Sequence, residues 1–209
     1  MNPKWAEENL QTIRTLMERS AIYRRALAPI MIYVGTMGIA GGIVGWQMQI
    51  DSPRGFVLFW IGVAMVALAG SFLLVRRQAL RDSELFWSPP TRRVAQALTP
   101  AFLAGAIVTV PFVVYGCYES ALVWWLPVVW TTLYGLALNA AGFFMPRGIR
   151  LFAWAFLLIS FGLFLAGTCL IRLINPLQQA HIVMAAIFGG FHLAYGVYLY
   201  FTEKKNPVA

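Results

Sequence analysis

The feature that most constrains this sequence is a series of apolar runs, each long enough to cross a bilayer. A helix of about 20 residues spans the roughly 30 Å hydrocarbon core of a membrane. Six such runs occur, at roughly 27–49, 55–75, 99–118, 121–144, 151–171 and 180–201. They show no strand-type alternation, which favours helices over a barrel. The sequence therefore predicts an all-α polytopic membrane protein, with a six-transmembrane-helix bundle over residues 26–205.

Composition supports a membrane location and excludes an ordinary soluble domain. Of the 209 residues, 60% are hydrophobic and only 11% are charged, and the mean hydropathy is +0.69. The net charge of +8 does not indicate nucleic-acid binding, because the basic residues are distributed asymmetrically between the connections. If the amino terminus is in the cytoplasm, Arg54 and Arg172 are the only lysine or arginine residues on the outer side of the membrane. This positive-inside bias predicts a membrane protein with both termini cytoplasmic, in contact with the lipid bilayer.

Residues 1–25 form a polar segment with the pattern of an amphipathic cytoplasmic helix. Leu10, Ile13, Leu16 and Met17 lie close to one face of that helix. The apolar face could be covered by the lipid interface, by this chain's own inner loop at 76–97, or by a cytosolic partner protein. The paired acids at 7 and 8 favour protein over an anionic membrane surface. The segment lacks the pattern of a signal peptide, so we expect the first span to direct membrane insertion.

The last run places a histidine, His192, among small residues. In an α-helix Ala185, Gly189, His192 and Gly196 follow at i, i+4, i+7 and i+11, which predicts one close-packing face directed at other helices. Asn139 lies on a comparable small and polar stripe in the fourth run, and we expect it to form a hydrogen bond across the bundle. The first run also has a glycine face, formed by residues 35, 38, 42 and 45.

Ionisable residues inside a membrane are candidates for function, so His192, Asn139, Tyr195 and Gly196 are the candidate ligand or relay residues. The alternative is a neutral histidine satisfied by a neighbouring helix. No metal site, catalytic residue or nucleotide-binding motif is expected, and no cofactor is predicted. Haem or quinone binding remains an alternative, although the second histidine, His181, is about 16 Å away along the same helix. Cys117 and Cys169 could form a disulfide, but two buried apolar side chains are favoured.

Four sequence elements resemble a family of small bacterial inner-membrane proteins that have six predicted helices and no assigned activity. They are IRTLMERS at 13–20, WSPPTRR at 87–93, LYGLALN at 133–139 and FGGFHLAYGVYLY at 188–200. The family's motifs match at residues of all but the third element: Ile13, Arg14, Leu16, Met17, Glu18, Arg19, Ser20, Trp87, Thr91, Arg92, Arg93, His192, Tyr195 and Gly196. Genes of this family often neighbour one for a small winged-helix regulator, so the resemblance implies a regulatory role.

Three classes of function follow as hypotheses. The first is a non-enzymatic sensory or regulatory component, which engages a cytosolic regulatory protein through its amino-terminal helix and inner loop. Its candidate contact residues are Ile13, Leu16, Met17, Glu18, Arg19, Trp87, Arg92 and Arg93. The second is transport of a small solute or proton, for which the polar residues at membrane depth are few. The third is a haem- or quinone-binding module. A homo-oligomer is compatible with each of them.

Overall fold

The protein is described by a computed structural model that covers residues 27–81, 87, 89–115, 120–170 and 176–203. The predicted amphipathic helix at 1–25 lies outside these residues, as do Cys117 and the side chain of Cys169. All the regular secondary structure described is helical. The elements are α1 (Leu27–Gln47), α2 (Pro53–Arg81), α3 (Pro89–Val114), α4 (Ser120–Val123), α5 (Trp125–Ala141), α6 (Arg147–Leu170), α7 (Pro176–Met184), a π-helical segment (Ala185–Phe191) and α8 (His192–Glu203).

Five helices in the described part of the chain are long and apolar enough to cross a membrane. They are α1, α2, α3 from Thr91, α6 as far as Gly167, and the continuous helix Pro176–Thr202 that α7, the π-helical segment and α8 form together. The all-α class is therefore confirmed, and the architecture is compatible with a multi-pass membrane protein. The fourth predicted run corresponds to α4 and α5. With 17 residues, α5 alone is shorter than the helix of about 20 residues that spans a hydrocarbon core.

The helices extend beyond the apolar runs at several ends. α2 continues to Arg81 and α3 begins at Pro89, so residues 76–81 and 89–97 of the predicted inner loop are helical. Hydropathy locates the hydrocarbon boundary, whereas a helix continues as long as its backbone can hydrogen-bond. A proline in the first turn of α3 is tolerated because an amide there has no partner within the helix.

The predicted glycine face of α1 packs against the last helix. The pairs in contact run in opposite order along the two helices: Gly35 with Leu193, Gly38 with Gly189, Gly42 with Ala185 and Gly45 with His181. A Cβ atom built on Gly38 would lie 2.7 Å from the Cα of Gly189, a backbone atom of the facing helix. Only glycine permits this approach, so we call these eight residues the glycine seam.

α5 lies between α3 and α6, antiparallel to both. On the α3 side, Trp130 donates from Nε1 to Oγ1 of Thr109 at 3.1 Å. On the α6 side, Ser160 donates from Oγ to the carbonyl oxygen of Val128 at 2.9 Å, and Thr132 forms a 2.5 Å hydroxyl contact with Ser160. These hydrogen bonds place α5 within the bundle rather than at its edge.

The alternating helix directions bring the basic residues of three helices to one end of the bundle, which we call the basic end. The residues are Arg76, Arg77, Arg81, Arg92, Arg93, Arg147 and Arg150. The core has two parts. One, near the opposite end, is centred on Phe56, Trp60 and Trp124. The other, nearer the basic end, is centred on Phe152, Phe156 and Ile187, and it surrounds the candidate site.

Candidate functional site

His192 is held in the bundle by two hydrogen bonds that use both ring nitrogens. Its side chain is 1% exposed. Nδ1 lies 2.7 Å from the carbonyl oxygen of Phe188, and a carbonyl only accepts, so Nδ1 carries the proton. Nε2 then offers a lone pair, and the hydroxyl of Tyr134 donates to it at 2.7 Å. We therefore assign the neutral Nδ1–H tautomer from these partners.

Aromatic rings surround this Tyr134–His192 pair. The ring of Phe152 lies edge-on to His192 with the centroids 5.2 Å apart, and the ring of Phe156 does so at 5.4 Å. Phe156 also contacts the ring of Tyr134 at 5.0 Å. The hydrogen-bonded pair is thus enclosed by apolar surface, where its two hydrogen bonds are not exchanged with water.

This geometry limits the chemistry available to His192. An axial haem ligand needs a free lone pair on a ring nitrogen, and the lone pair of Nε2 already accepts from Tyr134. A proton relay needs a titratable acceptor on each side, and Nδ1 faces a backbone carbonyl of its own helix. Either function would first require one of these hydrogen bonds to break.

His192 does not lie on the small-residue stripe where the α-helical spacing predicts it. Ala185, Gly189 and Gly196 pack against α1, and the position between the last two is taken by Leu193. In an α-helix with 3.6 residues per turn, each step of four residues moves the side chain about 40° around the helix axis. The π-helical segment has wider turns and absorbs this drift, so His181, Ala185, Gly189 and Leu193 stay aligned and His192 faces α5 and α6.

The other three predicted ligand residues occupy different surroundings. A Cβ atom on Gly196 would lie 2.7 Å from the backbone nitrogen of Ile32, which makes Gly196 a packing residue against α1. Tyr195 stacks on Phe152 with the centroids 4.5 Å apart, directly beside His192. Asn139 is half-buried, and its Oδ1 has no hydrogen-bond partner among the described residues. The hydrogen bond expected across the bundle is therefore not found in this part of the chain.

His181 is a second buried histidine, which the sequence interpretation did not select. The indole N–H of Trp60 donates to its Nδ1 at 3.1 Å, and the ring of Phe56 lies edge-on at 4.8 Å. Its ring also fills the space that a side chain at Gly45 would need. The signal was present, because His181 precedes Ala185 by four residues and so extends the small-residue stripe by one step.

The predicted partner contacts divide between described and undescribed residues. Trp87 is 61% exposed, and Arg92 and Arg93 are exposed in the first turns of α3, all at the basic end. Their predicted counterparts, Ile13, Leu16, Met17, Glu18 and Arg19, lie outside the described residues.

Comparisons with models of protein families, with curated proteins and with solved structures found no match to this chain. Within the described residues, no group of three or more histidine, cysteine or acidic side chains is placed to hold a metal ion. What the fold and the site define is a helical protein with several helices apolar enough to cross a membrane, and with an aromatic core around a Tyr–His pair.

Proposed function

We propose that the chain crosses the membrane six times. The support comes from α4 and α5, which are separated only by Trp124. Trp124 has φ −54° and ψ −31°, which are helical angles, so residues 120–141 can be treated as one helix. At 1.5 Å per residue this helix is about 33 Å long, which is sufficient for the hydrocarbon core.

The proposed orientation puts the basic end in the cytoplasm of a bacterial cell, with the membrane being the inner one. With six spans, every arginine of the basic end lies on one side of the membrane, and only Arg54 of the described basic residues lies on the other. With five spans and α5 not crossing, Arg147 and Arg150 would lie opposite Arg76 and Arg77. The positive-inside rule therefore favours the six-span arrangement, with both termini cytoplasmic.

We propose that the protein is a non-enzymatic sensory or regulatory component of this membrane, as the family resemblance implies. The observation that carries this proposal is the closed site: both ring nitrogens of His192 are hydrogen-bonded within the bundle, and aromatic rings surround them. At the basic end, Trp87, Arg92 and Arg93 are exposed and accessible to a partner. In this proposal the bundle is the scaffold, and the basic end together with residues 1–25 binds a cytosolic regulatory protein.

The glycine seam provides a route by which the bundle could act on that partner. Residues 1–25 lead directly into α1, and α1 contacts the last helix through backbone atoms along the seam. Backbone contacts of this kind do not adjust by side-chain rotation, so α1 moves with the last helix or separates from it. A change in membrane state, or an apolar molecule that separates the two helices, would therefore reposition residues 1–25.

The test is recovery of a cytosolic partner by the full-length protein from its native membrane after cross-linking. Met17→Ala, Glu18→Ala and Arg93→Ala should each lower the recovery of the same protein. Arg54→Ala is the matched control, since it removes a charge at the opposite end. If no protein depends on these three positions, the proposal is wrong. Solute or proton flux into proteoliposomes that is lost in His192→Ala would favour transport in its place.

A further inference from the structure

One face of α2 combines an open groove with three arginines at the basic end. The groove is shallow and open, and it is lined by five residues of α2: Leu73, Arg76, Arg77, Leu80 and Arg81. All five side chains are exposed, with Leu73 at 59% and Leu80 at 69%. Among the described residues, no hydrogen bond or ion pair engages the three guanidinium groups. The groove therefore presents concentrated positive charge beside aliphatic surface.

The same face continues from the groove as an exposed apolar strip toward the middle of the bundle. Leu73, Ala69, Val66 and Gly62 follow at spacings of three or four residues, which places them on one side of α2. All four are exposed, and a Cβ atom on Gly62 would meet nothing within 4 Å. From Leu73 to Gly62 the strip is about 16 Å long at 1.5 Å per residue. Half of a hydrocarbon core is about 15 Å, so the strip is the length of one leaflet.

We infer that this face binds an anionic phospholipid of the cytoplasmic leaflet. The phosphate group pairs with Arg76 and Arg77, and an acyl chain lies along Leu73, Ala69, Val66 and Gly62. Guanidinium groups bind phosphate oxygens in a bidentate geometry, which favours them for this role. A cytosolic protein could reach the arginines but not the apolar strip inside the membrane. A lipid supplies both the negative charge and the chain, so it fits the whole face.

This inference uses the proposed orientation but not the proposed partner, so the two are tested separately. The experiment measures binding of phosphatidylglycerol and of phosphatidylcholine to the full-length protein in an uncharged detergent, by native mass spectrometry. Each arginine near an anionic headgroup contributes about 1 kcal/mol, or about fivefold in affinity. Arg76→Gln/Arg77→Gln should therefore weaken phosphatidylglycerol binding about 30-fold. Arg76→Lys/Arg77→Lys, which keeps the charge, should retain most of it.

The matched control is Arg92→Gln/Arg93→Gln, which removes the same charge at the same end but from α3. It should bind phosphatidylglycerol as the unmodified protein does. Far-UV circular dichroism and a single size-exclusion peak check that each variant is folded. Equal losses in the two double glutamine variants would show a general charge effect and overturn the inference. Equal binding of phosphatidylcholine and phosphatidylglycerol, or no loss in Arg76→Gln/Arg77→Gln, would also overturn it.

Discussion

Two adjacent glycines of the last helix, Gly189 and Gly190, provide the sharpest test of the glycine seam. Both lie in the π-helical segment, and both would receive the same methyl group in a substitution by alanine. A Cβ atom on Gly189 would lie 2.6 Å from the backbone nitrogen of Ile39 and 2.9 Å from the carbonyl carbon of Gly38. A Cβ atom on Gly190 would meet nothing within 4 Å. The two substitutions should therefore change stability in opposite directions.

The magnitude follows from the space available on each side of the helix. Non-bonded carbon atoms attract best at about 3.5–4.0 Å, so Gly189→Ala must move α1 and the last helix apart by about 1 Å. Overpacking of this kind costs about 1–3 kcal/mol. Gly190→Ala meets no obstacle, and replacing glycine with alanine inside a helix stabilises it by about 0.5–1 kcal/mol. We expect the two variants to differ by about 1.5–4 kcal/mol in free energy of unfolding.

Thermal unfolding of the purified protein in detergent, followed by tryptophan fluorescence, measures the difference. At about 2–4 °C per kcal/mol for a chain of this size, Gly189→Ala should lower Tm by roughly 2–12 °C. Gly190→Ala should raise Tm by roughly 1–4 °C. Equal Tm values for the two variants, or a lower Tm for Gly190→Ala, would refute the close packing of α1 on the last helix.

Two further predictions concern the Tyr–His pair and the number of spans. Tyr134→Phe removes the hydroxyl that donates to His192, so it should lower the free energy of unfolding by about 0.5–2 kcal/mol. Tyr198→Phe is the control, because the side chain of Tyr198 is 61% exposed, and it should not change the free energy of unfolding measurably. Ser52→Cys and Phe144→Cys, each in a cysteine-free background, should react with a membrane-impermeant maleimide from opposite sides, Ser52→Cys from outside the cell. Labelling of both from the same side would contradict a membrane-crossing α5.

The sequence predicts the helices and their small-residue faces well, but it does not show which faces meet. Long apolar runs identify spans because the bilayer sets their length. A glycine face such as that of α1 identifies close packing, because only a small residue lets a backbone approach. Any other small-residue face could serve as its partner, however. In the structure the glycine face of α1 packs against the last helix, and this pairing depends on how all the helices of the bundle pack together.

The surroundings of His192 could not be predicted from spacing, because spacing assumes a regular α-helix. A π-helical segment depends on hydrogen bonds from i to i+5, which leave no distinct residue pattern in AAIFGGF. His181 shows the opposite case, because it lies four residues before Ala185 and so continues the regular spacing of the small-residue stripe. The apolar run alone begins α3 too late, at 99, because hydropathy does not report a helix that continues beyond the hydrocarbon core; Pro89, Pro90 and Thr91 are the residues that mark its beginning.

The π-helical segment has a consequence for how this chain tolerates insertions and deletions. Removing one residue between Ala185 and Phe191 would allow the wider turns to close into ordinary α-helical ones. Because its hydrogen bonds run from i to i+5, the π-helical segment fits one more residue than an α-helix into about the same rotation. Everything after the deletion would then keep its direction, with His192 beside Tyr134 and with Leu193 and Gly196 against α1. Removing one residue from α7 would instead turn every later residue by about 100° about the helix axis relative to the residues before it. The π-helical segment is therefore a stretch in which the last helix can lose a residue and keep the contacts of α8.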